Sequence, residues 1–310
     1  MKVLLFTHEQ DIDGMGCVVL AKRAFNNLDY ELCKTFEITN KVKKYIDDKT
    51  IYNYDAIYVT DLCIKEPVLK YIDEDIELRN KLIVLDHHKS EIEEGNDKYS
   101  FVNIIVEKDG RKVSGTWLFY DYLVSNKFLE ASSVLDEIVE WTRQYDVWDW
   151  KKINNYEARK LHILFEVLGY KKYLEITDRI IDNEDRVIFN EEENAIVDKF
   201  NKDFERDISE ILSNMKVVDI NVNDVTYKVG YVKCLYKYRN DINEEVMKDN
   251  KYDVDMVGMI MTDIDTVSYR TVKDVDVSKV AVHFGGKGHK PAGSNPQDNE
   301  KFKYILEMFK

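Results

Sequence analysis

Three continuous apolar runs, K-V-L-L-F-T-H, D-A-I-Y-V-T-D-L and K-L-I-V-L-D-H-H, fall within the first ninety residues and alternate with amphipathic stretches. Apolar runs this short, bounded by polar residues, are the pattern of buried strands; M-G-C-V-V-L-A-K-R-A-F-N-N and P-V-L-K-Y-I-D-E, between them, have helical spacing. Strand and helix in alternation specify an α/β fold built on a parallel sheet flanked by helices. Each run ends on polar residues that belong at the carboxyl edge of that sheet, where ligand sites of open α/β folds form.

Further along, S-G-T-W-L-F-Y-D-Y-L-V follows Ser114, a residue suited to cap a helix, and S-S-V-L-D-E-I-V-E-W-T-R-Q-Y-D-V-W-D-W reads as one helix ending in an aromatic cluster. From Phe189 to Met215 the chain is charged, free of Gly and Pro, and helical in period, which predicts a helical connector. The pattern then turns strand-rich with V-T-Y-K-V-G-Y-V-K-C, D-M-V-G-M-I-M-T and T-V-S-Y-R-T-V-K. A helix D-V-S-K-V-A-V-H-F, a glycine loop G-G-K-G-H-K-P-A-G-S and a final helix E-K-F-K-Y-I-L-E-M-F-K complete a small α+β domain. At 310 residues the chain exceeds what one hydrophobic core usually supports, so two domains are expected, 1–188 and 216–310, joined by the connector 189–215.

Composition narrows the function classes. A formal net charge of −14 works against sequence-independent binding of long nucleic acid, an affinity that comes from neutralising many phosphates with Lys and Arg. The four cysteines, Cys17, Cys33, Cys63 and Cys234, contain no C-x-x-C pair, which argues for packed thiols over a disulfide frame or structural zinc. The opening M-K-V-L-L-F-T-H-E-Q-D-I-D-G has neither a signal-peptide pattern nor a membrane span, so a cytoplasmic protein without a membrane partner is expected. A homodimer stays open.

Only 6 histidines occur, yet His8, His87 and His88 all fall at ends of expected strands, beside Asp11, Asp13, Asp61 and Asp86. A lone Asp at a strand end is ordinarily a helix cap or a turn residue. Two adjacent histidines after an aspartate at the end of an apolar strand are another matter, because burying them is costly unless they are ligated or hydrogen-bonded. Strand ends distant in sequence are neighbours in a parallel sheet, so the three segments can converge on one pocket. Mixed imidazole and carboxylate donors without thiolate suit manganese or a similar divalent ion.

These residues resemble the motifs of the DHH phosphoesterase superfamily: His8, Asp11 and Asp13 in the first, Asp61 of V-T-D-L in the second, Asp86-His87-His88 in the third, and Asp146 of R-Q-Y-D-V-W in the fourth. The C-terminal G-G-K-G-H-K-P-A-G resembles the glycine-histidine loop of the associated DHHA1 domain, and S-Y-R-T its arginine-bearing strand. Within the superfamily, E-K-D-G-R, R-Q-Y-D-V-W-D-W and the order of the C-terminal motifs are most similar to the nanoRNase B oligoribonuclease branch. In two places the chain departs from its relatives: the H-x-x-D-x-D spacing of the first motif, and Lys287, which stands where a glycine is usual.

The resemblance implies an N-terminal parallel-sheet DHH domain and a smaller DHHA1 domain. It implies two divalent ions, most simply Mn2+, with His8 and Asp11 on one, Asp13, His87 and Asp146 on the other, and Asp61 bridging both. Asp86 would orient His87, and His88 would face the substrate phosphate, so Asp86 and His88 are the catalytic candidates. Arg270, Gly285, Gly286, Lys287, Gly288 and His289 would bind substrate, with Lys290 nearby; the glycines would admit a ligand close to the backbone. The activity implied is hydrolysis of short oligonucleotides to nucleoside monophosphates by two-metal activation of water. A cyclic mono- or dinucleotide substrate is the alternative, and a non-catalytic nucleotide sensor a second one. Trp141, Tyr145, Trp148, Trp150, His162 and His283 are expected to pack or to support structure, because their spacing is helical or their neighbours are apolar.

Overall fold

The computed structural model describes residues 1–183, 186–248 and 251–310. The apolar runs become the interior of a sheet made of β1 (Lys2–His8), β2 (Asn27–Cys33), β3 (Ala56–Thr60), β4 (Leu82–Asp86) and β5 (Val102–Ile104). The order is β2-β1-β3-β4-β5 and every pairing is parallel. Both faces are covered, which is why the runs are continuously apolar. Val3 and Leu5 pack with Met15 and Val18 on one side, and Leu4 and Phe6 pack with Ile38, Val42 and Ile72 on the other. Strand order reverses between β1 and β3, the kind of place where such sheets open a crevice at their carboxyl ends.

The edge strand β2 escapes a search for apolar runs because its residues N-L-D-Y-E-L-C are largely solvent-facing. The chain after β5 forms a short ribbon, β6 (Glu107–Lys108) and β7 (Arg111–Lys112), whose turn residues Asp109 and Gly110 both have positive φ, the signature of a tight hairpin. Ser114 caps the helix Gly115–Ser125 by accepting the Trp117 N–H at 3.3 Å. The helix expected to run to Trp150 instead stops at Asp146. Trp148 takes a left-handed backbone, φ 62°, and a separate short helix Asp149–Lys152 follows. A long helical segment Tyr156–Asn183, broken at Gly169 (φ 76°, ψ 167°), closes the first core with Leu161, Leu164 and Tyr173.

The connector forms as the helix Glu191–Ser213. The chain divides into two compact units, Met1–Phe200 and Asn201–Lys310, at a boundary inside that helix. In the second unit a sheet of β8 (Lys216–Val222), β9 (Val225–Cys234), β10 (Met256–Met261), β11 (Thr266–Thr271), β12 (Lys287–His289) and β13 (Ala292–Pro296) has the order β12-β13-β11-β10-β9-β8. Only β9 and β10 run parallel. Ser278–His283 and Lys303–Glu307 are its short helices, and Val280, Phe284, Phe302 and Ile305 pack with Tyr231 and Tyr269 of the sheet. The final helix is therefore shorter than the sequence suggested, with Glu300–Phe302 as a 3-10 turn before it.

The expected glycine loop is in part an edge strand, since Lys287, Gly288 and His289 pair with β13. A Cβ at Gly286 would lie 1.9 Å from the Ser294 carbonyl oxygen, and one at Gly288 would lie 2.4 Å from the Gly293 Cα. These two glycines let backbone approach backbone, a demand of the sheet itself that is separate from any room for a ligand. Among the described residues no helix is long and apolar enough to cross a membrane.

Candidate metal centre

The first motif is built by a helix cap. His8 ends β1, and Asp11 caps the helix Ile12–Ala24 by accepting the N–H groups of Asp13 at 3.1 Å and Gly14 at 3.0 Å. The other Asp11 oxygen lies 2.7 Å from His8 Nδ1, which fixes the imidazole and leaves Nε2 for another partner. Asp13, in the first turn and fully buried, is gripped from a second helix: its two oxygens accept the N–H of Gly115 at 2.6 Å and of Thr116 at 2.8 Å. A helix N-terminus is a natural seat for a buried carboxylate.

Asp61 follows β3 with φ 57°, a left-handed backbone that a non-glycine residue adopts at a cost of order 1–3 kcal/mol. Its Oδ1 lies 3.2 Å from His87 Nε2 and its Oδ2 3.7 Å from His8 Nδ1. Space for this arrangement comes from Gly115, where a Cβ would stand 2.6 Å from the Asp61 Cβ and 3.1 Å from Asp13 Oδ2. His87 Nε2 also faces Asp13 Oδ2 at 3.6 Å and Asp146 Oδ2 at 3.7 Å. Asp146 arrives from the last residue of the helix Ser133–Asp146.

Asp86 behaves differently from what the resemblance implied. Its Oδ1 accepts the backbone N–H of His87 at 2.7 Å and holds the ring of His88, whose Nδ1 is 2.7 Å away. It therefore orients His88, and touches His87 only through the main chain, because the bend after β4 turns the two rings to different neighbours. The rings lie with centroids 4.4 Å apart, and the His88 side chain is half exposed.

The electrostatics follow from packing acids together. Burial, and then the charges of Asp13 and Asp11, push the carboxyls of Asp61 and Asp146 well above the usual carboxylate range. Burial would raise Asp11 too, but the His8 hydrogen bond and charge outweigh it and hold that carboxyl low. His87 is pulled down, chiefly by burial, towards the neutral form a metal needs. For His8, burial pulls down but the Asp11 contact prevails, and its pKa rises. The hydrogen bond from Asp86 comes first in raising His88 to about 9.

Two compact donor sets result, His8 with Asp11 and Asp61, and Asp13 with His87 and Asp146; the ligand atoms of each lie within 4.8 Å of one another. A third grouping joins Asp61, Asp86, His87 and His88. His8 Nε2 and Asp61 Oδ2 are buried and make no hydrogen bond. Buried polar atoms without partners, between imidazoles and carboxylates, fit divalent cations of oxygen- and nitrogen-binding preference. The four cysteines are buried and unpaired, and none belongs to these donor sets.

In the second unit, Arg270, Lys287, Gly288 and His289 line a cavity of about 530 Å3. Gly285 and Gly286 lie outside that lining. Trp150 is buried and Tyr145 stacks on His162 with centroids 4.2 Å apart, as packing aromatics do; Trp148 keeps about a third of its surface exposed. Sequence reasoning missed the amides of Gly115 and Thr116, which hold Asp13, since a backbone donor leaves no mark in a residue pattern. It also missed Tyr236 and Arg239, which line the second cavity.

Fold and site together define an α/β protein with a cluster of carboxylates and imidazoles, arranged as groups that could hold metal ions, at the carboxyl edge of a parallel sheet. Residues 2–141 match the N-terminal domain of the DHH family, so this part of the chain is a DHH domain. The chain is 28% identical to oligoribonuclease NrnB of Bacillus subtilis (strain 168) over 310 residues, which is 99% of this chain and 76% of that protein. Among solved structures, a DHH domain described as a member of the s1p family of ribosomal proteins has 14% identity and a TM-score of 0.51, with 99% of this chain and 85% of that one covered, and shares the fold. A pGpG-specific phosphodiesterase from Vibrio cholerae matches with 13% identity and a TM-score of 0.49, covering 100% of this chain and 99% of that one.

Proposed function

We propose that the chain is a phosphodiesterase that hydrolyses short oligonucleotides to nucleoside monophosphates with two divalent ions, Mn2+ by preference. One observation carries the proposal: six ligand-type side chains, brought from four separate segments, meet in two donor sets, one of which holds two buried atoms that make no hydrogen bond. His8 and Asp11 would hold one ion, Asp13, His87 and Asp146 the other, and Asp61 both. When bound, such a pair of cations supplies a water of lowered pKa and positive charge against the phosphoryl oxygens.

The chain's own residues set the rest. Two backbone N–H groups pin Asp13, so its carboxylate cannot turn away from the site. His88, kept protonated at neutral pH by Asp86 and half exposed, is placed to donate to a nonbridging oxygen of the scissile phosphate. Arg270, Lys287 and His289, in the cavity of the second unit, supply donors for a substrate phosphate. The substrate class follows the Bacillus relative, named an oligoribonuclease, and the acidic surface disfavours long nucleic acid.

The test is to incubate the pure chain with an RNA dinucleotide, a longer oligonucleotide and a cyclic dinucleotide, before and after chelation and with Mn2+ restored. Release of nucleoside monophosphates from the dinucleotide, fastest among the three and dependent on Mn2+, supports the proposal. Turnover of the cyclic substrate alone, or none of any, rejects it. Alanine at Asp61 or His87 should abolish turnover, whereas a sensor would show none to abolish.

A further inference from the structure

We infer that Arg239, seated on Tyr236, is a second phosphate-binding guanidinium beside Arg270, and that the pair makes this cavity a site for a dianionic terminal phosphate.

Arg239 belongs to none of the motifs above; it opens the helix Arg239–Met247. It lines the same cavity as Tyr236, Ser268, Arg270, Lys287 and His289, and no Asp or Glu is found among the lining residues. That is unusual in a chain with 59 acidic residues against 45 Lys and Arg. Elsewhere Arg23, Arg111, Arg143, Arg179 and Arg206 each pair with a carboxylate. Among the described residues Arg239 and Arg270 have no such ion pair. Arg270 Nη1 donates to Ser268 Oγ at 3.0 Å and to the Tyr269 carbonyl at 2.9 Å, which fixes the fork. Arg239 lies with its guanidinium carbon 4.3 Å from the Tyr236 ring centroid, and its Nε is buried without a hydrogen bond.

Two guanidiniums in one cavity repel each other. After burial, the charge of Arg239 is what lowers the pKa of Arg270 most. Neither is neutralised by the protein, so the arrangement costs free energy that an anion would recover. A phosphodiester offers one negative charge, whereas a terminal phosphomonoester carries about 1.5 to 2 at neutral pH and three acceptor oxygens. Two planar forks match the second and overcharge the first. Stacking on Tyr236 holds the Arg239 fork in place, so less rotamer freedom is lost when the anion binds. This inference rests on the proposal that the chain acts on short nucleotides, and it names the end of the substrate that the second unit holds.

The experiment uses the full chain in chelator, so that the metal centre is silent, titrated calorimetrically with adenosine 5′-monophosphate and with its phosphate methyl ester, which carries one charge less. The wild type should bind the monophosphate about tenfold more tightly than the ester, and Arg239→Gln should remove most of that preference. Arg239→Lys should keep part of it. Tyr236→Leu should lose affinity and Tyr236→Phe retain it, both at an exposed position where folding is not at stake. With dinucleotide and Mn2+, the loss in Arg239→Gln should fall on KM instead of kcat. Equal affinity of the wild type for the two probes, or unchanged monophosphate affinity in Arg239→Gln, overturns the inference. If the wild type hydrolyses nothing yet Arg239→Gln still weakens the monophosphate, the phosphodiesterase proposal fails and the anion site stands. If hydrolysis is intact and the affinity does not move, the anion site alone fails.

Discussion

Gly115→Ala adds one methyl group and replaces no ligand of the proposed metal centre, yet it should cripple the enzyme. Gly115 is the first residue of the helix Gly115–Ser125, where alanine is otherwise preferred over glycine by up to about 1 kcal/mol. The new Cβ would stand 2.6 Å from the Asp61 Cβ, 2.9 Å from its Cα and 3.1 Å from Asp13 Oδ2. Contact between carbons needs roughly 1 Å more. The nearest atoms belong to the backbone and Cβ of a residue at a sheet edge, not to the far end of a flexible side chain. Either Asp61 must withdraw, or the helix must back away and stretch the Gly115 N–H bond to Asp13, which is 2.6 Å long.

Overpacking of this size costs about 1–3 kcal/mol in stability, so a fall of several degrees in Tm is expected. Displacement of a reacting constellation by about 1 Å costs about 100-fold in rate. The assay is kcat on a dinucleotide at saturating Mn2+, with Mn2+ affinity by calorimetry and a melting curve to show that the variant is folded at the assay temperature. A folded Gly115→Ala protein with wild-type kcat and wild-type Mn2+ affinity would refute the claim that Asp13 and Asp61 are held by contact across this glycine.

Other outcomes follow from the same geometry. Chelation should abolish hydrolysis and lower Tm, and Mn2+ at about one hundred times its Kd should return about 2.7 kcal/mol per site; a Tm indifferent to Mn2+ would contradict the proposed centre. Asp61→Asn should destroy turnover but raise the Tm of the chelated protein at neutral pH, because the folded state holds the Asp61 carboxyl above its unfolded pKa. The sign is fixed: the folded state binds that proton more tightly, so the chelated wild type should gain stability as pH falls from neutral towards the unfolded pKa. In Asp61→Asn the gain should shrink, and a melting series across pH decides it. Asp86→Asn should lower kcat by about 10- to 100-fold through His88 while Mn2+ affinity holds, since Asp86 does not touch the His87 ring. A large loss of Mn2+ affinity would restore the role that the family resemblance implied.

The sheet was legible where its strands are buried on both faces and opaque where they are not. β1, β3 and β4 announce themselves as apolar runs, and parallel pairing brings their polar ends to one edge. β2 is no apolar run: Leu28, Tyr30 and Leu32 alternate with Asn27, Asp29 and Glu31, the period of a half-covered strand, which a search for continuous apolar runs passes over. The break at Trp148 left no Gly or Pro to signal it, because a left-handed tryptophan is imposed by its surroundings, among them Tyr145 and Trp150 stacked on one another. Likewise the sequence placed His8, Asp11, Asp13, Asp61, His87 and Asp146 near one edge, but the direction of the Asp86 side chain depends on how the main chain bends after β4. The amides that seat Asp13 come from a helix about one hundred residues away, and nothing in S-G-T distinguishes a helix that grips a carboxylate from one that merely begins.

Folding gains nothing from gathering Asp11, Asp13, Asp61, Asp86 and Asp146 at one sheet edge. Three of them, Asp13, Asp61 and Asp86, are almost wholly buried, and buried carboxylates without compensation are among the costliest groups a protein can hold. Some compensation is local, through helix amides for Asp13, His8 for Asp11 and His88 for Asp86. Asp61 has none of comparable strength: its nearest partner is a His87 nitrogen held towards neutrality, its backbone is strained, and Oδ2 makes no hydrogen bond. Of the three almost wholly buried carboxylates, the one least satisfied by the protein thus belongs to one donor set and faces His87 of the other, where a pair of cations would relieve it most. The instability of the chelated protein and its need for metal are in this account one property, and Asp61→Asn separates them by removing the charge without the side chain.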